Sequence, residues 1–172
     1  MKKNILYLII AVLIFASCDE KEDYMQINSS VMDVSGEYWV HYDHAEFGAD
    51  PFGAGYTKLL ISNTAADNGT EGWLSDEGNF WDYKVKIPVD MQQLTFGSDQ
   101  VVTSIVDGYE IQVKITNGKI IHDVVSNLAS GVTADSIYFE VWFEDLEEST
   151  EIPNDKLIVS GFRKTGFLED EH

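Results

Sequence analysis

The sequence predicts an all-β fold, an antiparallel up-and-down β-barrel of about eight strands. Three observations carry that expectation. From Ser35 onward, short runs rich in Val, Ile and aromatic residues alternate apolar with polar, the period of a strand with one buried face. Turn dipeptides separate these runs, and no stretch sustains the 3.6-residue period of an amphipathic helix. The length of 172 residues suits one domain with a core of its own.

Residues 1–17 come first and read as an address rather than a fold. Lys2 and Lys3 precede an apolar run from Ile5 to Phe15, too short to cross roughly 30 Å of hydrocarbon and therefore a signal peptide. Cys18 follows and is the only cysteine, which excludes an intrachain disulfide, a thiolate metal cluster and a buried catalytic thiol. Residues 18–33 open with Asp19-Glu20-Lys21-Glu22-Asp23, lack apolar periodicity and read as an acidic tether. The barrel domain is expected over 34–168.

Its candidate strands are 36–43, 56–63, 79–88, 100–106, 109–116, 119–126, 136–145 and 156–165. Asp107-Gly108 and Asn117-Gly118 both read as two-residue hairpin turns, because both central residues need positive φ. On that reading Val106 opposes Tyr109, Ser104 opposes Ile111 and Val102 opposes Val113. Beyond the second turn, Ile115 opposes Ile120, Val113 opposes His122 and Ile111 opposes Val124. Trp81, Tyr83, Val85 and Ile87 alternate with Phe80, Asp82, Lys84 and Lys86, and Ile137, Phe139, Val141 and Phe143 alternate with Tyr138, Glu140, Trp142 and Glu144. Short links between neighbouring strands favour a meander that closes on itself. A barrel of eight strands either fills its interior with side chains or holds one small ligand, and the pattern leaves both open. Trp81, Tyr83, Tyr109, Val113, His122, Phe139 and Phe143 share the proposed inner face, where they would line an apolar cavity or form ordinary core.

Several segments resemble known families. Phe15-Ala16-Ser17-Cys18 resembles the lipobox of bacterial lipoproteins, with Phe15 in place of the usual Leu. That implies cleavage before Cys18 and acylation of its thiol, which anchors stably when several chains each bury CH₂ groups at roughly 0.8 kcal/mol apiece. The acidic run after Cys18 resembles the signal by which Bacteroidetes send lipoproteins to the cell surface. It implies an outer-membrane location facing outward, with the periplasmic face as the alternative. Ser35-Gly36-Glu37-Tyr38-Trp39-Val40 resembles the opening strand of lipocalins and their calycin relatives, one residue off in spacing. The likeness implies that Arg163, on the last strand, packs over Trp39 and closes the barrel floor, a cation–π contact of about 0.5–2 kcal/mol. Over roughly residues 30–168 the chain is similar to the Bacteroidetes family named lipid-binding putative hydrolases. That similarity rests on Gly36-Glu37-Tyr38-Trp39, Ile61-Ser62-Asn63-Thr64, Gly72-Trp73-Leu74 and the run from Asn79 to Pro88. It implies a calycin-like barrel, an envelope location and an apolar ligand, but no catalytic motif that maps onto these residues.

Charge narrows the partners. Cleavage would remove two lysines and leave nine basic against 30 acidic residues, a net charge of −21. Nucleic acid is excluded as a partner, because phosphate binding needs clustered Lys and Arg. The chain has no Gly-x-Ser-x-Gly elbow, no His-Glu-x-x-His helix and no phosphate loop. His41, Asp43, His44, Glu46 and Asp50 are ligand types suited to zinc, but they read first as a polar strand end. Asp67, Asn68, Glu71, Asp76 and Glu77 carry oxygen ligands suited to calcium without matching its loop pattern, and read as a hydrated loop. No cofactor or metal is expected. Loop 44–56, rich in Gly and Phe, has the make-up of a lid. Three readings remain: a lipid-anchored barrel binding a small apolar or amphipathic ligand; an accessory lipoprotein acting through protein or glycan contacts on its outer face; and an envelope hydrolase depending on His41 or His122.

Overall fold

A computed structural model describes residues 28–172. The segment expected to be a signal peptide, Cys18 and the expected tether as far as residue 27 lie outside the described residues. Nine strands form one antiparallel sheet: β1 (Gly36–His44), β2 (Thr57–Asn63), β3 (Glu71–Ser75), β4 (Lys84–Asp90), β5 (Thr95–Phe96), β6 (Val102–Val106), β7 (Tyr109–Val125), β8 (Ala134–Phe143) and β9 (Leu157–Arg163). A short helix, α1 (Glu144–Thr150), follows β8.

The strands pair in the order β5-β4-β3-β2-β1-β9-β8-β7-β6, and β5 also pairs with β7. That second pairing shuts an eight-stranded barrel and leaves β6 as a hairpin arm on the first half of β7. The arm covers the gap between β4 and β7, where the Ser104 hydroxyl accepts the Lys84 N–H at 2.9 Å. Alternation then puts Tyr38, Val40, Tyr42, Leu59, Ile61, Leu74, Tyr83, Val85, Ile87, Val113, Phe139, Val141, Phe143 and Val159 into one interior cluster. Val31 and Val34 join that cluster, so the chain packs against the barrel before residue 34. The Ser30 side chain accepts the Gly69 N–H at 2.8 Å and fixes this approach.

Asp107-Gly108 turns as expected, and the register Val106–Tyr109, Ser104–Ile111, Val102–Val113 is as predicted. The second turn is not a turn. Asn117 does take positive φ, at 56°, but it serves a bulge inside a single 17-residue strand. Thr116 pairs with Glu140 and Lys119 with Tyr138, so Asn117 and Gly118 together oppose Phe139. Such a bulge reverses which parity faces inward. Ile111, Val113 and Ile115 are buried before it, and Gly118 and Ile120 after it. Gly118 is required because a Cβ there would lie 2.3 Å from the Phe96 ring, where β5 crosses β7. The expected pairs Ile115–Ile120, Val113–His122 and Ile111–Val124 are therefore replaced by Val113–Phe143, Ile115–Val141 and Ile120–Ile137.

Two further expectations change. The segment 71–75, read as loop, is β3, because Gly72 and Leu74 bury one face against β2 and β4. The first residues of the expected strand 79–88 form a loop instead.

Candidate functional site

One end of the barrel gathers the lid loop 45–56, the loop 76–83, the turn at 107–108 and α1. The loop 76–83 owes its shape to Asp76, which is fully buried. Its Oδ2 accepts the N–H groups of Phe80, Trp81 and Asp82 at 3.1, 2.7 and 3.0 Å. Its Oδ1 accepts those of Gly78 and Tyr83 at 3.1 Å each. Five donors around one carboxylate hold the backbone in a tight cup, so Phe80 and Trp81 are set on the barrel mouth rather than left to move freely.

Phe80 stacks on Tyr42 at 4.0 Å between ring centroids, and Trp81 on Phe143 at 4.8 Å. Beneath them the hydroxyls of Tyr42 and Tyr83 meet at 3.1 Å. Burial pushes both phenols well above their ordinary pKa, and both stay neutral. Phe52, at the tip of the lid loop, packs edge-on against both Phe80 (5.7 Å) and Trp81 (5.4 Å). The lid is fixed at its root by His44. That ring accepts the N–H groups of Glu46 and Phe47 on Nδ1, at 3.0 and 3.1 Å. Its Nε2 must then carry the proton, which it donates to Asp155 at 2.7 Å.

A shallow cleft of about 390 Å³ opens between Phe80, Trp81, Asp82 and Tyr109. Asp145, on α1, braces two of its lining residues: Oδ1 accepts the Trp81 indole N–H at 3.3 Å and Oδ2 accepts the Tyr109 hydroxyl. Desolvation, reinforced by the Asp145 carboxylate, pushes the Tyr109 phenol up to about 12. The cleft thus has an aromatic floor and an acidic rim.

The residues singled out from the sequence divide into three groups. Trp81, Tyr83, Tyr109 and Phe143 meet at the mouth. Val113 and Phe139 are fully buried and face the barrel interior. His122 does not face inward: it stands at the far end of β7, half-exposed, with Nδ1 3.0 Å from Asp135. Tyr109 is likewise 38% exposed, so it lines the rim of the mouth and not the interior.

The floor contact is also corrected. Arg163 lies over Tyr38, at 5.3 Å from the ring centroid, not over Trp39. The register pairs Tyr38 with Arg163 and Trp39 with Phe162, and alternation turns Tyr38 inward and Trp39 out. The guanidinium is held by the carbonyls of Ser35 and Asp33 at 2.5 and 2.6 Å. Trp39 takes Lys164 instead, at 4.8 Å.

Neither carboxylate cluster stands open as a metal cage. Asp76 is occupied by backbone donors, Glu71 by Thr64 and Lys86, and Asp67 by the Ser30 N–H. His44 faces inward to Asp155, whereas His41 points outward to Asp43 at 3.1 Å. Sequence reasoning missed Asp76 and Asp145 as organising residues. Neither has a local signal, since their partners lie on backbone amides or on other elements.

The family model for lipid-binding putative hydrolases matches residues 23–168. The chain belongs to that family. The match spans the whole barrel and both of its ends. No curated protein is similar to the chain.

Proposed function

We propose that this family member is a cell-envelope lipoprotein, held in the outer membrane by acyl chains on Cys18, that binds an amphipathic, lipid-like ligand at its aromatic mouth. The observation that carries the binding reading is the cleft over Phe80 and Trp81, preset by Asp76, with Phe52 packed edge-on against both rings. The family's name and the barrel fold support a lipid-binding role. The lipobox supports the anchor.

The large inward side chains pack into one buried cluster, and the ligand lies across the mouth with its apolar part on the rings. Such contact gains roughly 25 cal/mol per Å² of apolar surface covered. The head group meets Asp82 and Asp145. Two carboxylates favour hydrogen-bond donors or a cation and repel an anion. Neutral or cationic amphiphiles are therefore preferred over fatty-acid anions.

Tryptophan fluorescence of the full chain in detergent-free buffer, titrated with a monoacylglycerol, an alkylammonium and a fatty acid at pH 7.5, tests this. The first two should bind, the third at least tenfold more weakly. Trp81→Ala should abolish the response while retaining the circular-dichroism spectrum. Equal binding of all three, or full binding by Trp81→Ala, would refute the mouth as the site. The anchor is tested separately by incorporation of an alkyne-tagged palmitate, which Cys18→Ala should eliminate.

A further inference from the structure

The outer wall of the barrel holds a second arrangement with chemistry of its own. β1 and β9 pair so that His41 lies directly opposite Ser160. Both side chains point outward, as does Asp43 two residues further along β1. The Ser160 hydroxyl lies 3.3 Å from His41 Nε2, and His41 Nδ1 lies 3.1 Å from Asp43 Oδ1. Asp43 is itself braced by the Asp50 N–H at 3.1 Å. A carboxylate at Nδ1 fixes the tautomer that leaves Nε2 free to accept the serine proton. Tyr56 packs edge-on against His41 at 5.4 Å. It also forms one wall of a separate cleft of about 240 Å³, lined further by Phe162, Val125 and Leu128. Phe162 follows Ser160 by two residues on the same face of β9, and Tyr56 packs against His41, so one lining residue of the cleft neighbours each member of the Ser160–His41 pair.

From this geometry we infer that Ser160, His41 and Asp43 form a serine nucleophile with its base and orienting carboxylate, acting on a carboxylic ester whose apolar acyl part lies along Phe162 and Tyr56. Ser160 Oγ attacks the ester carbonyl carbon as its proton passes to His41 Nε2. The ester C–O bond breaks, and the alcohol leaves with that proton. Water, deprotonated by the same histidine, then attacks the acyl-serine carbonyl; the bond from that carbon to Ser160 Oγ breaks, His41 returns the proton to Oγ, and the acid leaves. Both edges of β9 are paired, to β1 and β8, so no backbone N–H pair is free beside Ser160 to receive an oxyanion. The nearest hydroxyl donor in register is Tyr138 on β8. Turnover is accordingly slow, and activated esters are the substrates that reveal it.

The full chain is incubated with a fluorophosphonate and, separately, with p-nitrophenyl butyrate. Ser160 should carry the phosphonyl adduct, mapped by peptide mass spectrometry. Ser160→Ala and His41→Gln should each lower p-nitrophenol release by about 100-fold, and Asp43→Asn by about tenfold. Melting temperatures matching the parent exclude unfolding as the cause; a variant that does not fold is replaced by Ser160→Cys, which should restore alkylation by an acyl-like electrophile at that position. An adduct elsewhere, no adduct at all, or unchanged hydrolysis by Ser160→Ala overturns the inference. The two readings are tested apart: this one stands or falls on the adduct at Ser160 and on Ser160→Ala, the mouth on the amphiphile titration.

Discussion

Replacing Asp76 by Asn probes how much of the mouth is built by one side chain. The substitution preserves shape but removes the charge and turns one acceptor into a donor. The amide oxygen can retain the three N–H groups now bound to Oδ2, those of Phe80, Trp81 and Asp82. The NH₂ then confronts the N–H groups of Gly78 and Tyr83. Two donors left unpaired at a buried site cost about 1–3 kcal/mol each, so the expected loss is on the order of 4 kcal/mol. For a domain whose stability is roughly 5–15 kcal/mol this is a large fraction. It corresponds to a fall in melting temperature on the order of 10 °C. Urea denaturation followed by tryptophan fluorescence gives the free energy, and circular dichroism gives the melting temperature. Near-ultraviolet dichroism should also weaken, because Trp81 loses its fixed packing on Phe143 at 4.8 Å. A destabilisation below about 1 kcal/mol with unchanged near-ultraviolet dichroism would refute the claim that this carboxylate organises the loop.

Two further predictions concern the phenols. Tyr42→Phe or Tyr83→Phe leaves a single buried hydroxyl without its partner at 3.1 Å and should cost about 1–3 kcal/mol, whereas the double replacement should cost less than the two singles summed. Urea denaturation of all four proteins measures the coupling, and strict additivity would count against a paired hydrogen bond. Tyr109 is pushed up to about 12, against about 10 in an unfolded chain. The fold favours the neutral phenol, so its contribution is intact below pH 10 and is lost as pH rises through 12. Tyr38, Tyr42 and Tyr83 are shifted the same way by burial, and stability should fall steadily on the alkaline side. Absorbance at 295 nm tracks the ionisation, and Asp145→Asn should move the most accessible late transition downward. An unmoved transition would show that Asp145 does not act on Tyr109.

The barrel was legible because its cause is local. Residues such as Tyr83, Val85 and Ile87 alternate with lysines, and a two-residue period has one structural meaning when the turns are short. Asp107-Gly108 was readable for the same reason, since two positive-φ positions between alternating runs make a hairpin. Asn117-Gly118 carried the same local signal and was put to a different use. Whether a left-handed residue turns the chain or bulges it depends on what lies alongside. Here β8 runs past both halves of β7, and Phe96 presses on Gly118 too closely for any side chain.

By itself, then, the sequence determined a closed antiparallel sheet, its inward set on most strands and its acidic composition. Tertiary structure decided everything that depends on parity and on distant partners. A single bulge exchanged inside for outside along half of β7, and a second break in register between Ile121 and Val125 took His122 out of the proposed lining. Strand register put Arg163 on Tyr38 instead of Trp39. Packing set a cleft at the mouth over Phe80 and Trp81, whose loop Asp76 shapes and whose walls Asp145 braces. His41, Asp43 and Ser160 came together only because β1 and β9, 119 positions apart at that pair, are neighbours in the closed ring. Alternation is a property of adjacent residues, but register is fixed by the best burial of whole strands, and that sum is taken over the assembled barrel.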